Sequence, residues 1–266
     1  MIPRELPAQV QHYVEAYLTI LNSHTTQVGS VTLFGSWTSE APRAPSDMDV
    51  IITSLPGKGI DLHFRKALQA TLAQCQEHIP YPISAVPYEF DKLCKAIGPL
   101  GMRLYEQHAC TVQGIDVVPL FRNYMQMHYS PLEVRRSALR SLYFFVQDLR
   151  QSYCAPGRLD NSAANYKLIV TSFKTLRTAC WVADIEDRYL NDKLAIVGQA
   201  HELFSHIPGA SSCINTLWKI IQDRNCIVSS DVVDTIVTFA ESVADDSYQR
   251  FCDIASERGL WFDMSW

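Results

Sequence analysis

Two aspartates separated by a single residue are the feature of this sequence with the clearest chemical potential. Asp47 and Asp49 stand in the segment DMDVII, where a strand period of two places both carboxylates on one face and Met48 on the other. Neighbouring carboxylates repel each other unless a cation lies between them. Hard divalent ions prefer oxygen ligands, so the pair predicts a metal site.

A glycine and a serine precede this pair at the end of another predicted strand. The run SVTLFG ends at Gly35, and Ser36 follows it. Glycine permits close approach of the backbone, and serine offers an N–H and a hydroxyl group. Gly35 and Ser36 are therefore predicted to contact a phosphate.

A third carboxylate interrupts the apolar run GIDVVPLF, which together with MRLYEQHACTV suggests a β-hairpin around Gln113 and Gly114. Asp116 on such a strand would join Asp47 and Asp49. Three aspartates on neighbouring strands could hold two Mg²⁺ or Mn²⁺ ions about 3.5–4 Å apart. That arrangement would support in-line nucleotidyl transfer, in which positioning and charge stabilisation supply most of the acceleration.

The elements that must position these residues suggest an α+β protein with two domains. An amphipathic helix is expected within residues 1–28, packed with the helical part of the chain. Residues 29–128 predict a small mixed sheet with flanking helices, and residues 129–266 an all-helical domain with periodic apolar stripes. A ligand cleft is expected between the two domains.

Composition narrows the possible partners. Among 266 residues the net charge is −5, which argues against a broad cationic face for nucleic acid. No apolar run reaches the roughly 18 residues of a membrane span, so no membrane partner is expected. The eight cysteines form no CxxC pattern and predict reduced thiols in an intracellular protein.

The pattern of a hydrophobic residue, Gly-Ser, a gap of about ten residues and Asp-hydrophobic-Asp resembles the signature of the DNA polymerase β-type nucleotidyltransferase superfamily. The full run LFGSWTSEAPRAPSDMDVIITS is most similar to the non-canonical poly(A) polymerases, also called the DNA polymerase sigma family, with terminal uridylyltransferases as close relatives. This resemblance implies a polymerase β-like catalytic domain and a PAP-associated-like central domain. It also implies transfer of a nucleotide, ATP by preference, to an RNA 3′ end.

Further nucleotide-binding residues follow from the resemblance. Asn123 falls where relatives carry a nucleotide-contacting asparagine, and Tyr166 matches a tyrosine that stacks on the base in relatives. The chain departs from the family where two triphosphate-binding lysines are expected, because Gln147 and Gln151 stand there. The candidate substitutes for these lysines are Arg150 and Lys167.

Three alternatives remain open at the level of sequence. The chain could be a weakly active or inactive nucleotide-binding subunit of an RNA-processing complex, which an RNA-binding protein assists. It could be a terminal uridylyltransferase. It could also be a nucleotidyltransferase that acts on a small molecule or a protein.

Overall fold

The computed structural model describes residues 6, 8–38, 47–155, 162–223 and 226–257, except for the side chains of residues 8, 9 and 36. The chain is α+β and divides into two compact units, Met1–Ser130 and Pro131–Trp266. Each unit has its own core and is described by itself.

The first unit is built on a four-stranded mixed sheet. Its strands are β1 (Val28–Phe34), β2 (Met48–Ser54), β3 (Ile83–Tyr88) and β4 (Cys110–Gly114), and their order across the sheet is β3-β2-β1-β4. β1 is antiparallel to both β2 and β4, whereas β2 is parallel to β3. β1 and β2 are therefore the interior strands.

The helices of the first unit are α1 (Ala8–His24), α2 (Leu62–His78), α3 (Leu93–Ala96), α4 (Pro99–His108) and α5 (Val118–His128). α1 and α2 cover one face of the sheet. Val14, Tyr17 and Leu21 of α1 join Leu33 and Val50 of the sheet in one buried core. The three helical residues recur every three or four positions, which explains why α1 forms and which side it buries. α1 thus packs on the sheet of the first unit, whereas the sequence led us to expect packing with the helical part of the chain.

The opposite face of the sheet carries Phe34, Asp49 and several buried hydroxyl groups. Ser30 and Thr53 hydroxyls lie 2.9 Å apart. The Phe34 ring meets the Tyr105 ring of α4, with centroids 4.9 Å apart. α4 therefore covers the face of the sheet on which Asp49 lies.

The hairpin predicted from residues 102–121 is wrong. MRLYEQH lies in α4, and VPLF begins α5, so only β4 lies between the two helices. Pro119 occupies the first turn of α5, where a missing N–H costs no hydrogen bond. Val117, Phe121 and Met125 are buried at intervals of four, which is helical and not strand spacing.

The second unit is helical throughout its described residues. Its helices are α6 (Pro131–Tyr153), α7 (Ser162–Ala183), α8 (Lys193–Phe204), α9 (Ala210–Gln222) and α10 (Ser230–Glu257). α7 packs against both α6 and α10, and most of its length is buried. This matches the long apolar stripes from which a helical domain was predicted.

A buried polar cluster holds the segment between α7 and α8. Arg135 is 1% exposed, and its Nη2 donates to the Asp184 carbonyl at 2.6 Å and to Asp187 Oδ1 at 2.7 Å. The Asp184 carboxylate accepts from Arg188 Nε and from Gln199 Nε2, each at 2.8 Å. These charge-assisted bonds satisfy polar groups that would otherwise be buried alone.

Candidate functional site

The end of the β1–β2 pair brings Gly35 and Asp49 together. Phe34 pairs with Asp49 across the two strands, and Gly35 follows directly in a 3₁₀ turn, Gly35–Thr38. Gly35 has a φ of +77°, which favours glycine. A Cβ atom at position 35 would lie 2.6 Å from Asp49 Oδ2, so the missing side chain leaves space for this carboxylate.

The turn after β1 is anchored from both sides. Thr38 Oγ1 donates a hydrogen bond to the Gly35 carbonyl at 3.0 Å. Trp37 is fully buried, and its ring packs edge-on against Tyr13 and Tyr81, with centroid distances of 6.2 and 5.6 Å. A buried indole of this size fixes the turn against the core, so the position of Gly35 does not depend on backbone bonds alone.

Asp47 and Asp49 keep the relation predicted from their spacing. Both are half-buried, whereas Met48 between them is fully buried in the core on the other side. Asp49 lies on β2, and Asp47 immediately precedes it. We call Gly35, Ser36, Asp47 and Asp49 the Asp49 edge. The Ser36 side chain lies outside the described residues, so its phosphate contact stays a prediction.

Asp116 lies at the other end of the sheet. β4 runs antiparallel to β1, Gly114 pairs with Ser30, and the Ile115 N–H donates to the Gly29 carbonyl at 2.9 Å. Gly29 and Phe34 are five residue steps apart on β1, which corresponds to about 16 Å along an extended strand. The prediction that Asp116 lies on a strand beside Asp47 and Asp49 is therefore wrong.

The surroundings of Asp116 suit a helix start. It is exposed, it follows β4, and its Oδ1 accepts a hydrogen bond from the Val118 N–H at 3.1 Å. This bond satisfies one of the free N–H groups in the first turn of α5. The carboxylate thus has a local structural role at this position.

No neighbouring strand supplies a substitute for Asp116. The residues that pair with Asp49 are Phe34 on β1 and Ser84 on β3, and neither has a carboxylate. Among the described residues, no group of three or more His, Cys, Asp and Glu side chains could hold a metal ion. The donor set of the Asp49 edge suits one divalent ion between two carboxylates, and it does not suit two ions held by three aspartates.

The other predicted nucleotide-binding residues lie on three helices. Asn123 is exposed on α5 in the first unit. In the second unit, Tyr166 is half-buried on α7, and Lys167 Nζ lies 3.9 Å from Asp148 Oδ1. Arg150 Nε donates to Glu241 Oε1 at 2.6 Å, and this hydrogen bond raises the pKa of Arg150. Contact of these four residues with a nucleotide stays a prediction.

Tyr105 was not among the site residues predicted from the sequence, although it lies on the same face of the sheet as Asp49. Its ring packs on Phe34, the residue paired with Asp49, and burial followed by the charges of Tyr88 and Asp49 raises its pKa to about 12. Pro99 ahead of LGMRLYEQH was the available signal, because proline at a first turn favours a helix over the strand that we predicted there.

No protein-family model and no curated protein sequence matches this chain. One solved structure to which it is similar is a crystal structure of the toxin–antitoxin MntA–HpeT in a mutant form. The sequence identity is 11%, the match covers 43% of this chain and 85% of that chain, and the TM-score is 0.32. None of the described helices is long and apolar enough to cross a membrane.

Proposed function

We propose that the first unit is a nucleotidyltransferase-type module that binds a nucleoside triphosphate together with one divalent cation at the Asp49 edge. The observation that carries the proposal is the contact between Gly35 and Asp49. A left-handed glycine without a side chain leaves room for the Asp49 carboxylate beside the turn. Two half-buried carboxylates suit a cation, and a tight glycine-containing turn beside them suits the phosphate oxygens that the cation would bring.

The site supports nucleotide binding better than it supports rapid nucleotidyl transfer. The two-ion arrangement expected from sequence needs a third carboxylate, and Asp116 caps α5 at the far end of the sheet. A cation held by Asp47 and Asp49 would screen the charge of a bound triphosphate. Stabilisation of the developing charge by a second ion has no ligand set among the described residues. We therefore expect nucleotide binding with slow turnover or none.

Binding is tested by titrating the full chain with Mn²⁺ and each of ATP, GTP, CTP and UTP, with calorimetry as the readout. Asp49→Asn keeps the shape of the side chain and removes its charge. We expect affinity for the Mn²⁺–nucleotide pair to fall at least tenfold in this variant. Absence of binding by the wild-type chain to all four nucleotides would overturn the proposal.

Addition of nucleotides to an RNA 3′ end is a second candidate function, with adenylate preferred. It is favoured by the position of Asp49 beside Gly35, because both belong to the segment on which the family resemblance depends. In this reaction the RNA 3′ oxygen bonds to the α-phosphorus, the bond to the β-phosphate oxygen breaks, pyrophosphate leaves, and the hydroxyl proton passes to solvent.

Extension of a labelled RNA in the presence of Mg²⁺ or Mn²⁺ separates the two functions. Slow extension that disappears in Asp49→Asn would support transfer, with the base resolved by comparing ATP with UTP. Nucleotide binding without extension would identify a binding module. An RNA-binding partner that restores extension would identify the subunit of a complex.

A further inference from the structure

The face of the sheet that carries Asp49 also carries an aromatic pair. Phe34 and Asp49 are directly paired on β1 and β2, so their side chains emerge on the same face. The Tyr105 ring meets the Phe34 ring at a centroid distance of 4.9 Å and an angle of 65°. Tyr105 also packs against Phe121 of α5, with centroids 5.7 Å apart. These two ring contacts place Tyr105 on the face of the sheet that carries Asp49.

The hydroxyl group of Tyr105 is available as a hydrogen-bond donor. Among the residues that the structure describes, no hydrogen-bond partner of this hydroxyl is found. Burial, and then the charges of Tyr88 and Asp49, raise its pKa to about 12, so the phenol keeps its proton at neutral pH. The group is therefore a neutral donor on the face of the sheet that carries Asp49.

An uncharged hydrogen-bond donor such as the Tyr105 hydroxyl suits a phosphate-binding site beside two carboxylates. A phosphate brought to the Asp49 edge is repelled by two carboxylates and attracted by the cation that they share. A phenol O–H can donate to a phosphate oxygen without competing with the cation for the carboxylates.

We propose that Tyr105 is a nucleotide-binding residue of the Asp49 edge, and that its hydroxyl donates a hydrogen bond to a phosphate oxygen of the bound nucleotide. This inference rests on the proposed function, because it requires a nucleotide at that edge. Nothing in the sequence pattern assigned a ligand to Tyr105, which lies on a helix outside the Gly-Ser and Asp-Met-Asp segments.

The test compares Tyr105→Phe with Tyr124→Phe in the full chain. The first variant removes only the hydroxyl and keeps the ring on Phe34. The second removes a hydroxyl from α5, where the Tyr124 ring contacts His128 and Tyr129. Calorimetry measures binding of Mn²⁺ alone, of Mn²⁺ with ATP, and of Mn²⁺ with adenosine, and thermal unfolding confirms that both variants fold.

We expect Tyr105→Phe to lower affinity for Mn²⁺–ATP about tenfold, the usual scale for loss of a hydrogen bond to a charged group. Binding of Mn²⁺ alone and of adenosine should change less than twofold, and Tyr124→Phe should behave as the wild type. Unchanged Mn²⁺–ATP affinity in Tyr105→Phe would overturn the inference. An equal loss for Mn²⁺ alone would also overturn it, since the hydroxyl would then act on Asp49 and not on the phosphate.

The outcome for the wild-type chain separates this inference from the function on which it rests. If the wild type binds no Mn²⁺–nucleotide pair, the proposed function fails. If it binds the pair and Asp49→Asn does not, while Tyr105→Phe binds normally, only the role of Tyr105 fails.

Discussion

Gly35 and Asp49 are complementary in shape: the carboxylate occupies the space that a side chain at position 35 would fill. A Cβ atom there would lie 2.6 Å from Asp49 Oδ2. Real Cβ atoms do not approach so closely, so any larger residue at position 35 must displace the carboxylate. The first prediction tests this relationship.

Gly35→Ala should weaken Mn²⁺–nucleotide binding at least tenfold and lower the free energy of unfolding by about 1–3 kcal/mol, because the left-handed backbone disfavours a Cβ. Gly57→Ala is the matched control. Gly57 has a φ of +72°, and nothing lies within 4 Å of an added Cβ. Alanine at position 57 therefore introduces the same left-handed backbone strain without displacing a carboxylate. Calorimetry and chemical denaturation measure both quantities. Normal nucleotide binding by Gly35→Ala would contradict the proposed site.

Asp49→Asn and Asp116→Asn should differ in their effect on binding. Asp116 caps α5 far from the Asp49 edge, and asparagine keeps the oxygen that accepts from Val118. We expect nucleotide affinity of Asp116→Asn to stay within twofold of the wild type. An equal loss in the two variants would show that Asp116 approaches the site after all.

The buried cluster of the second unit should respond sharply to truncation. Asp184→Ala leaves the Arg188 and Gln199 donors without their carboxylate, and we expect the free energy of unfolding to fall by about 3 kcal/mol. Glu202→Ala is the control. Glu202 accepts from the same Arg188 at 3.2 Å, but its side chain is 60% exposed, so its loss should cost under about 1 kcal/mol. Helical circular dichroism during denaturation measures the two changes, and similar costs would argue against the cluster as a source of stability.

The raised pKa of Tyr105, about 12 against an ordinary 10.0, makes a prediction for alkaline pH. Between these values the unfolded chain binds fewer protons at this group than the folded chain. The free energy of unfolding therefore falls as pH rises through this window, by up to about 1.4 kcal/mol per pH unit for one such group. Below pH 10 the group contributes no such slope.

Tyr105→Phe should remove this part of the pH dependence. In a titration of phenolate absorbance, the difference between the wild type and Tyr105→Phe should rise near pH 12. Tyr124→Phe provides the reference for the loss of one tyrosine. A Tyr105 signal that is complete by pH 10 would contradict the buried environment assigned to it.

Local patterns were sufficient to predict β1, β2 and the helical second half. Val31 and Leu33 alternate with polar or half-buried neighbours on β1. A strand pattern of this kind can be recognised from a few consecutive residues. The same is true of α1, whose apolar stripe was visible in the sequence. Its partner was not visible, because an apolar stripe specifies a buried side and does not say which element covers it.

The position of Asp116 could not be predicted for a related reason. Its place depends on the direction in which β4 pairs with β1, a contact between segments about 80 residues apart in the chain. A reversed β4 would have brought the residues near 116 toward Phe34 and Asp49. Likewise, α5 begins where an apolar run of eight residues suits a strand or a helix equally well, and Pro119 decides between them.

β1, which ends directly before Gly35, and β2, which carries Asp49, are the interior strands of the sheet, each hydrogen-bonded on both sides. Fraying of the outer strands β3 and β4 can proceed without separating this pair. Backbone amides of β1 and β2 should accordingly be the slowest in the first unit to exchange with deuterated solvent. The pairing of β1 with β2, which supports the Asp49 edge, would then survive local opening of the first unit and be lost only when the whole unit unfolds.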